Sequence, residues 1–99
     1  MNRVAVIMST YNGEAYVREQ LESILNQRDV EVSVFVRDDG SEDRTAKIIQ
    51  EYDKVHFIQG ENIGLGNSFM NLLYSVPSDY DYYALSDQDD FWENIKLNK

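Results

Sequence analysis

A parallel β-sheet covered by helices on both faces is the fold class that this sequence predicts, on three observations. Short apolar runs alternate along the chain with segments whose apolar residues recur at helical spacing. The connections between them are short, which favours right-handed βαβ crossovers and hence parallel strands. Two of the runs end in acidic clusters, Asp38-Asp39-Gly40-Ser41 and Asp87-Gln88-Asp89-Asp90, as expected where strands deliver ligand-binding groups to one edge of an open α/β sheet.

Val4-Ala5-Val6-Ile7-Met8 is a continuous apolar run ended by Ser9-Thr10-Tyr11-Asn12-Gly13, the pattern of a strand buried on both faces that leads into a loop. Val17, Leu21, Ile24 and Leu25 then predict a helix from Glu14 to Asn26, with Asn12 or Gly13 as caps. Val30, Val32, Val34 and Val36 alternate with their neighbours and predict a second strand, ending in a turn at Arg37-Asp38-Asp39-Gly40-Ser41. Thr45, Ile48, Ile49 and Tyr52 mark a second helix, capped by Ser41 or Asp43. Val55 to Gln59 reads as a third strand and Gly60 to Asn67 as a glycine-bearing loop. Phe69, Leu72, Leu73 and Val76 mark a third helix that stops at Pro77, and Tyr82 to Ser86 is a fourth strand. Phe91, Trp92, Ile95 and Leu97 have little left to pack against in the few residues after Asp90, so the expectation is one partial domain over residues 1–99.

The balance of charge narrows the ligands. Nine Lys and Arg stand against 18 Asp and Glu, a net charge of −9, which repels nucleic acid and anionic lipid and obliges a phosphorylated ligand to bring a cation. The absence of cysteine excludes disulfides, thiolate metal sites and a cysteine nucleophile, and His56 alone cannot make a His-rich zinc site. Val4 to Met8 is too short for a signal peptide's apolar region or a membrane span. A cytoplasmic location is expected, with the inner face of the cell membrane open to the full-length protein.

Asp87 and Asp89 are two apart, and in an extended stretch such residues point to the same side, so both carboxylates can face one Mg²⁺ or Mn²⁺ that keeps positions open for substrate phosphates. The plainer alternative is a solvated acidic turn. An EF-hand loop is excluded, because Phe91 and Trp92 stand where it needs an oxygen ligand and a glycine. Asp38 or Asp39, at a strand's end, can accept the imino proton of uracil or thymine, or a ribose hydroxyl; the alternative is an exposed turn in which Ser41 and Asp43 merely cap a helix. Tyr11 offers a flat face on which a base can stack. Gly64-Leu65-Gly66-Asn67 lets backbone amides approach an anion, or is simply a flexible turn; it is neither a Walker A loop nor the dinucleotide fingerprint. Tyr80, Tyr82 and Tyr83 read as strand and core-rim residues.

Val4 to Gly13, Arg37-Asp38-Asp39-Gly40-Ser41, Asn62-Ile63-Gly64 and Leu85-Ser86-Asp87-Gln88-Asp89-Asp90-Phe91-Trp92, taken together and in order, closely resemble the family 2 glycosyltransferases across nearly the whole chain. The resemblance implies an α/β, Rossmann-like unit, the N-terminal, nucleotide-sugar-binding half of a GT-A fold. It places Thr10 and Tyr11 in the base pocket, with Asn12 and Glu14 beside them, and makes Asp39 the partner of the pyrimidine, with Asp38 less definite. Asp87 and Asp89 match the D-x-D motif: Asp87, with Gln88 beside it, lies near the ribose or donor sugar, and Asp89 with Asp87 would hold Mg²⁺ or Mn²⁺. Asp90 either assists or caps the next segment. Asn62, Gly64 and Asn67 would border the sugar and diphosphate, where an arginine common in relatives is not evident, so that phosphate neutralisation leans on the metal.

The form Ser86 to Trp92 is similar to bacterial enzymes that build surface polysaccharide, including rhamnosyltransferase-like members. By that resemblance the full enzyme is a hexosyltransferase. It would move a sugar from a UDP- or dTDP-linked donor to the hydroxyl of a saccharide or lipid-linked acceptor, with inversion, using a general base downstream of the D-x-D motif. The 99-residue chain alone is then expected to bind donor and metal without catalysing transfer. Two rivals stand beside this reading. A receiver-like Mg²⁺-binding signalling domain would want its acidic pair nearer the first strand and a lysine after the later ones, and a non-catalytic interaction module leaves both aspartate clusters unexplained.

Overall fold

The computed structural model describes residues 2–27, 30–87 and 93–95, of which 87 and 93–95 are described as backbone. Its elements are β1 (Asn2–Thr10), α1 (Val17–Leu25), β2 (Val30–Asp39), α2 (Thr45–Ile49), β3 (Val55–Gly60), α3 (Leu65–Ser75), β4 (Tyr82–Asp87) and β5 (Glu93–Ile95). The sheet has the order β3-β2-β1-β4-β5, with the first four strands parallel and β5 antiparallel to β4.

β1 lies in the middle and is buried from Val4 to Thr10, which is why its sequence is apolar without alternation. Its side chains divide between two layers. Val4, Val6 and Met8 pack with Val34, Val36 and Ala84 beneath Val17, Leu21 and Ile24 of α1 and Ile48 and Ile49 of α2. Ala5 and Ile7 pack with Tyr83, Leu72 of α3 and Val76 on the other face. Burial of these aliphatic side chains, at about 1.5–3 kcal/mol each, is the main force holding the layers together. Thus helices do cover both faces, α1 and α2 on one and α3 on the other.

The register aligns the carboxyl ends of four strands. Thr10 stands opposite Asp38, Ser9 opposite Asp87, and Asp39 opposite Gly60. Since β2 and β3 lie to one side of β1 and β4 to the other, the chain reverses its direction of travel across the sheet at β1, and open α/β sheets bind ligands outside the strand ends at such a reversal.

The structure departs from the sequence expectation at the element ends. β1 and β2 run two and three residues past their apolar runs, because Ser9, Thr10, Asp38 and Asp39 are buried polar residues with partners; the expected turn at Arg37 begins only at Gly40, whose φ of 77° suits glycine. α1 begins at Val17, after a turn closed by the amides of Tyr16 and Val17 on Gly13 O, both at 2.9 Å. α2 stops at Ile49, leaving Tyr52 beyond it. α3 starts at Leu65, four residues before Phe69, where Gly64 (φ 92°) turns the chain. A fifth strand that the sequence did not predict, β5, lies along β4, with Ile95 opposite Tyr83 and Glu93 opposite Leu85; the packing of Phe91, Trp92 and Leu97 lies outside the described residues. No helix among the described residues is long and apolar enough to cross a membrane.

Candidate functional site

Adjacent residues of a strand point to opposite faces, and this separates Asp38 from Asp39. Asp38, 0% exposed, lies on the side of α1 and α2. Its Oδ1 accepts Thr10 Oγ1 at 2.8 Å and Ser41 Oγ at 2.6 Å, and its Oδ2 accepts the Ser41 amide at 2.9 Å. All three donors are uncharged.

The loop after β1 is fastened to the loop after β2. Asn12, at φ 49°, donates its amide to Ser41 Oγ (2.8 Å) and accepts the Glu42 amide on Oδ1 (2.8 Å), while the Gly13 amide donates to Thr45 Oγ1 (2.7 Å). The Glu14 amide donates to Asp43 Oδ2 at 3.2 Å, and Asp43 Oδ1 takes the Thr45 amide (2.9 Å) and the Thr45 hydroxyl. Burial pushes the Asp43 carboxyl up, but the hydrogen bonds from Thr45 and Glu14 outweigh it and hold the group below the usual carboxylate value. Neither expected capping residue takes the N-cap position of α2, which is Arg44 and has no side-chain cap hydrogen bond: Asp43 closes a turn onto the Thr45 amide just ahead of it, Ser41 is committed to Asp38, and Asn12 braces the neighbouring loop instead of capping α1. The brace leaves Tyr11 on the surface, 43% exposed.

Asp39, 3% exposed, lies on the α3 side. Its Oδ1 accepts Arg37 Nη1 at 2.8 Å and the Ile63 amide at 2.9 Å, and its Oδ2 accepts the Gly64 amide at 3.1 Å. Arg37, itself 5% exposed, also donates to Ser68 Oγ (3.0 Å) and to Glu61 O (3.1 Å), and Ser9 Oγ donates to Ser68 Oγ at 2.6 Å. Gly60 makes room for the guanidinium: a Cβ there would fall 2.1 Å from Arg37 Nη2. A Cβ at Gly40 would fall 3.0 Å from the Asn62 amide nitrogen, so the Asn62 backbone sits against the turn that follows Asp39.

Thr10, Asn12, Asp38, Asp39, Asn62 and Gly64 are thus brought to one edge of the sheet, and Tyr11 stands at its rim. Glu14 takes part through its backbone, and its side chain is exposed. Asn67 is also exposed and closes its own loop by donating Nδ2 to Ile63 O at 2.9 Å. The backbone of Asp87 ends β4 beside Ser9, whereas Gln88, Asp89 and Asp90 lie outside the described residues. Arg37, Ser68 and Ser9 are the residues that sequence reasoning missed. The signal was present: a cation in a buried strand, an aspartate two residues on and therefore on the same face, and a glycine ending the next strand.

Among the described residues no group of three His, Asp or Glu side chains is placed to hold a metal ion. Asp38 and Asp39 fit that role poorly, since each already accepts three donors. The cluster that begins at the end of β4 has the hard oxygen donors that Mg²⁺ or Mn²⁺ takes.

A parallel α/β sheet with buried aspartates at its carboxyl edge has the form of a ligand-binding α/β domain, and comparison with known proteins assigns its family. The model of glycosyl transferase family 2 matches residues 5–99, and the chain belongs to that family. It is 40% identical over 98 residues to the dTDP-rhamnosyl transferase RfbG of Shigella flexneri, covering 91% of this chain and 34% of that protein. It spans about a third of the length of curated relatives such as this one. Among solved structures, residues 1–349 of TarS from S. aureus in complex with UDP-GlcNAc superpose with a TM-score of 0.77 and 30% identity, over 92% of this chain and 27% of that one. The mannosyltransferase PcManGT of Pyrobaculum calidifontis, in complex with GDP-Man and Mn²⁺, shares the fold at a TM-score of 0.78 and 24% identity, over 91% and 28%. The fold is accordingly the Rossmann-like α/β arrangement of GT-A glycosyltransferases. Membership of this family displaces the receiver-like signalling domain.

Proposed function

We propose that the chain is the donor-binding part of a glycosyltransferase that builds a bacterial surface polysaccharide, taking a UDP- or dTDP-linked sugar. The observation that carries this reading is the gathering of Thr10, Asp38, Asp39 and the end of β4 at the carboxyl edge where the sheet reverses direction. Similarity to RfbG supports a dTDP-linked deoxyhexose donor, and similarity to TarS with UDP-GlcNAc supports a uridine one.

In this reading the exposed ring of Tyr11 stacks on the base and Asp39 accepts the pyrimidine imino N–H. Thr10 and Asp38 fix the end of the β1 loop, with Asn12 and Glu14 locking it to the β2 loop. Asn62, Gly64 and Asn67 border the diphosphate and sugar, and Gln88 lies beside the ribose. Asp89, with Asp87, holds Mg²⁺ or Mn²⁺, whose chemistry when bound is to neutralise the charge of the diphosphate as it leaves. Transfer to a saccharide or lipid-linked hydroxyl proceeds with inversion and needs a general base from an acceptor-binding half, so the 99-residue chain binds donor without catalysing transfer. The enzyme works in the cytoplasm or at the inner face of the membrane, where nucleotide sugars are supplied.

The test is an amide NMR titration of the chain with UDP and dTDP, with and without Mn²⁺ or Mg²⁺, repeated with Asp89→Asn. Metal-dependent shifts at Tyr11, Asp39 and Asp87, weakened by the substitution, are expected. A folded sample that responds to neither nucleotide in the presence of metal would refute donor binding by this chain.

A further inference from the structure

We infer that Arg37 is a positioning residue that sets the base selectivity of the site, an inference that rests on the proposed role of Asp39. Arg37 is buried, and its three hydrogen bonds tie together Asp39 on its own strand, Glu61 in the loop after β3 and Ser68 in α3. The same Asp39 accepts the amides of Ile63 and Gly64 from that loop. Arg37 therefore fixes both the carboxylate and the loop that supplies its other two donors, and Gly60 is the residue whose lack of a side chain lets the guanidinium lie there.

The consequence lies in the count of acceptor sites. An ionised carboxylate offers about four lone-pair positions and no donor. Three are taken by described partners, two on Oδ1 and one on Oδ2, so a single acceptor position remains, on Oδ2. A carboxylate that cannot rotate and has one position left accepts one N–H of a ligand. Uracil and thymine present such a donor at N3, whereas cytosine presents a lone pair there, which a fixed acceptor repels. Removing Arg37 frees the carboxylate to turn, so that its remaining acceptor position is no longer held against N3 and the distinction between an N–H and a lone pair there is lost.

Titration calorimetry of the 99-residue chain with UDP and with CDP, each in the presence of Mn²⁺, tests this, because the diphosphate and metal contributions are common to both and cancel in the ratio of affinities. The wild-type chain is expected to favour UDP by about tenfold or more, the scale of one hydrogen bond to a charged group. Arg37→Met is expected to bring the ratio to within about threefold of unity, and Arg37→Lys, which restores the charge with one contact point, to recover part of it. Ser68→Ala removes an anchor of Arg37 without touching a charge and should lower the ratio in the same direction; it decides the matter should Arg37→Met fail to fold by thermal unfolding. UDP and CDP weakened equally, with the ratio kept, would show a merely structural Arg37 and overturn the inference. Asp39→Asn separates the two levels. If it abolishes the preference while the Arg37 and Ser68 variants leave it intact, the base-reading role of Asp39 stands and this inference falls; if it leaves the preference intact, or the wild type has none, the base-reading role itself falls and takes the inference with it.

Discussion

Asp38 and Asp39 are neighbours in sequence and equally buried, yet they are held by different physics. Asp38 is satisfied by neutral donors from β1 and the turn at Ser41, on the α1 and α2 face; Asp39 is satisfied by a guanidinium and two loop amides, on the α3 face. A buried carboxylate with only neutral partners depends on several small contributions, whereas one with an ionic partner depends heavily on a single residue. The α1 and α2 side of the edge is therefore redundant, while the α3 side hangs on Arg37.

The widest expected separation follows from removing that residue. Arg37→Met leaves the Asp39 charge buried without its ion pair and should cost about 3–5 kcal/mol of folding stability by urea denaturation. In the double variant Arg37→Met with Asp39→Asn the uncompensated charge is gone while an acceptor for one of the Ile63 and Gly64 amides is kept, so the double should be more stable than Arg37→Met alone. A strictly additive pair would break the comparison, since it would mean that the two groups do not depend on each other.

Thr10→Val is the matching probe on the other face. It keeps the shape of the side chain and removes one donor to Asp38, which retains both Ser41 hydrogen bonds, so a loss of about 1.5 kcal/mol is expected in the same denaturation measurement. A loss as large as that of Arg37→Met would show that Asp38 is no more redundant than Asp39.

The contrast between the faces also explains what could be read in the sequence. The order and type of the helices and of the first four strands followed from period, because Val4 to Met8 and the Val17, Leu21, Ile24 set are the apolar residues that the two core layers bury. Strand ends were not legible, since period speaks only of apolar residues and both β1 and β2 continue through polar residues whose burial is licensed by partners distant in sequence: Ser68 for Ser9, Asp38 for Thr10, and Glu61 for Arg37. The pairing of β5 was hidden for the same reason, as three residues carry no period. That Asp38 and Asp39 belonged to a site was visible from their place at a strand end. Their division of labour needed the alternation of faces to be followed through Arg37 and on to Gly60, a step that residue types alone did not prompt.

The smallest effect sharpens the comparison at the braced loop. Asp43 is partly buried, and although burial raises its pKa, the Thr45 and Glu14 donors bring it below the unfolded value of about 3.9. A carboxyl depressed in the folded state gives stability that is fully present above the unfolded pKa and lost as pH falls through the lower folded value, so the loss should begin near pH 4 and deepen below it. Glu51 and Asp79 are depressed as well, the first chiefly by the hydrogen bond from Arg18 and the second chiefly by that from Arg3, and their loss has the same sign. Salt separates them. Both of those pairs are exposed ion pairs, and at 1 M salt, where the Debye length is about 3 Å, they are largely screened, whereas the partners of Asp43 are neutral amides and a hydroxyl. Stability measured between pH 5 and 2.5 in 1 M NaCl should therefore keep an acid slope that Asp43→Asn flattens. If the slope vanishes with salt in the wild-type chain, the brace between the β1 and β2 loops draws no stability from an ionised Asp43, and the neutral-donor side of the edge is weaker than the geometry indicates.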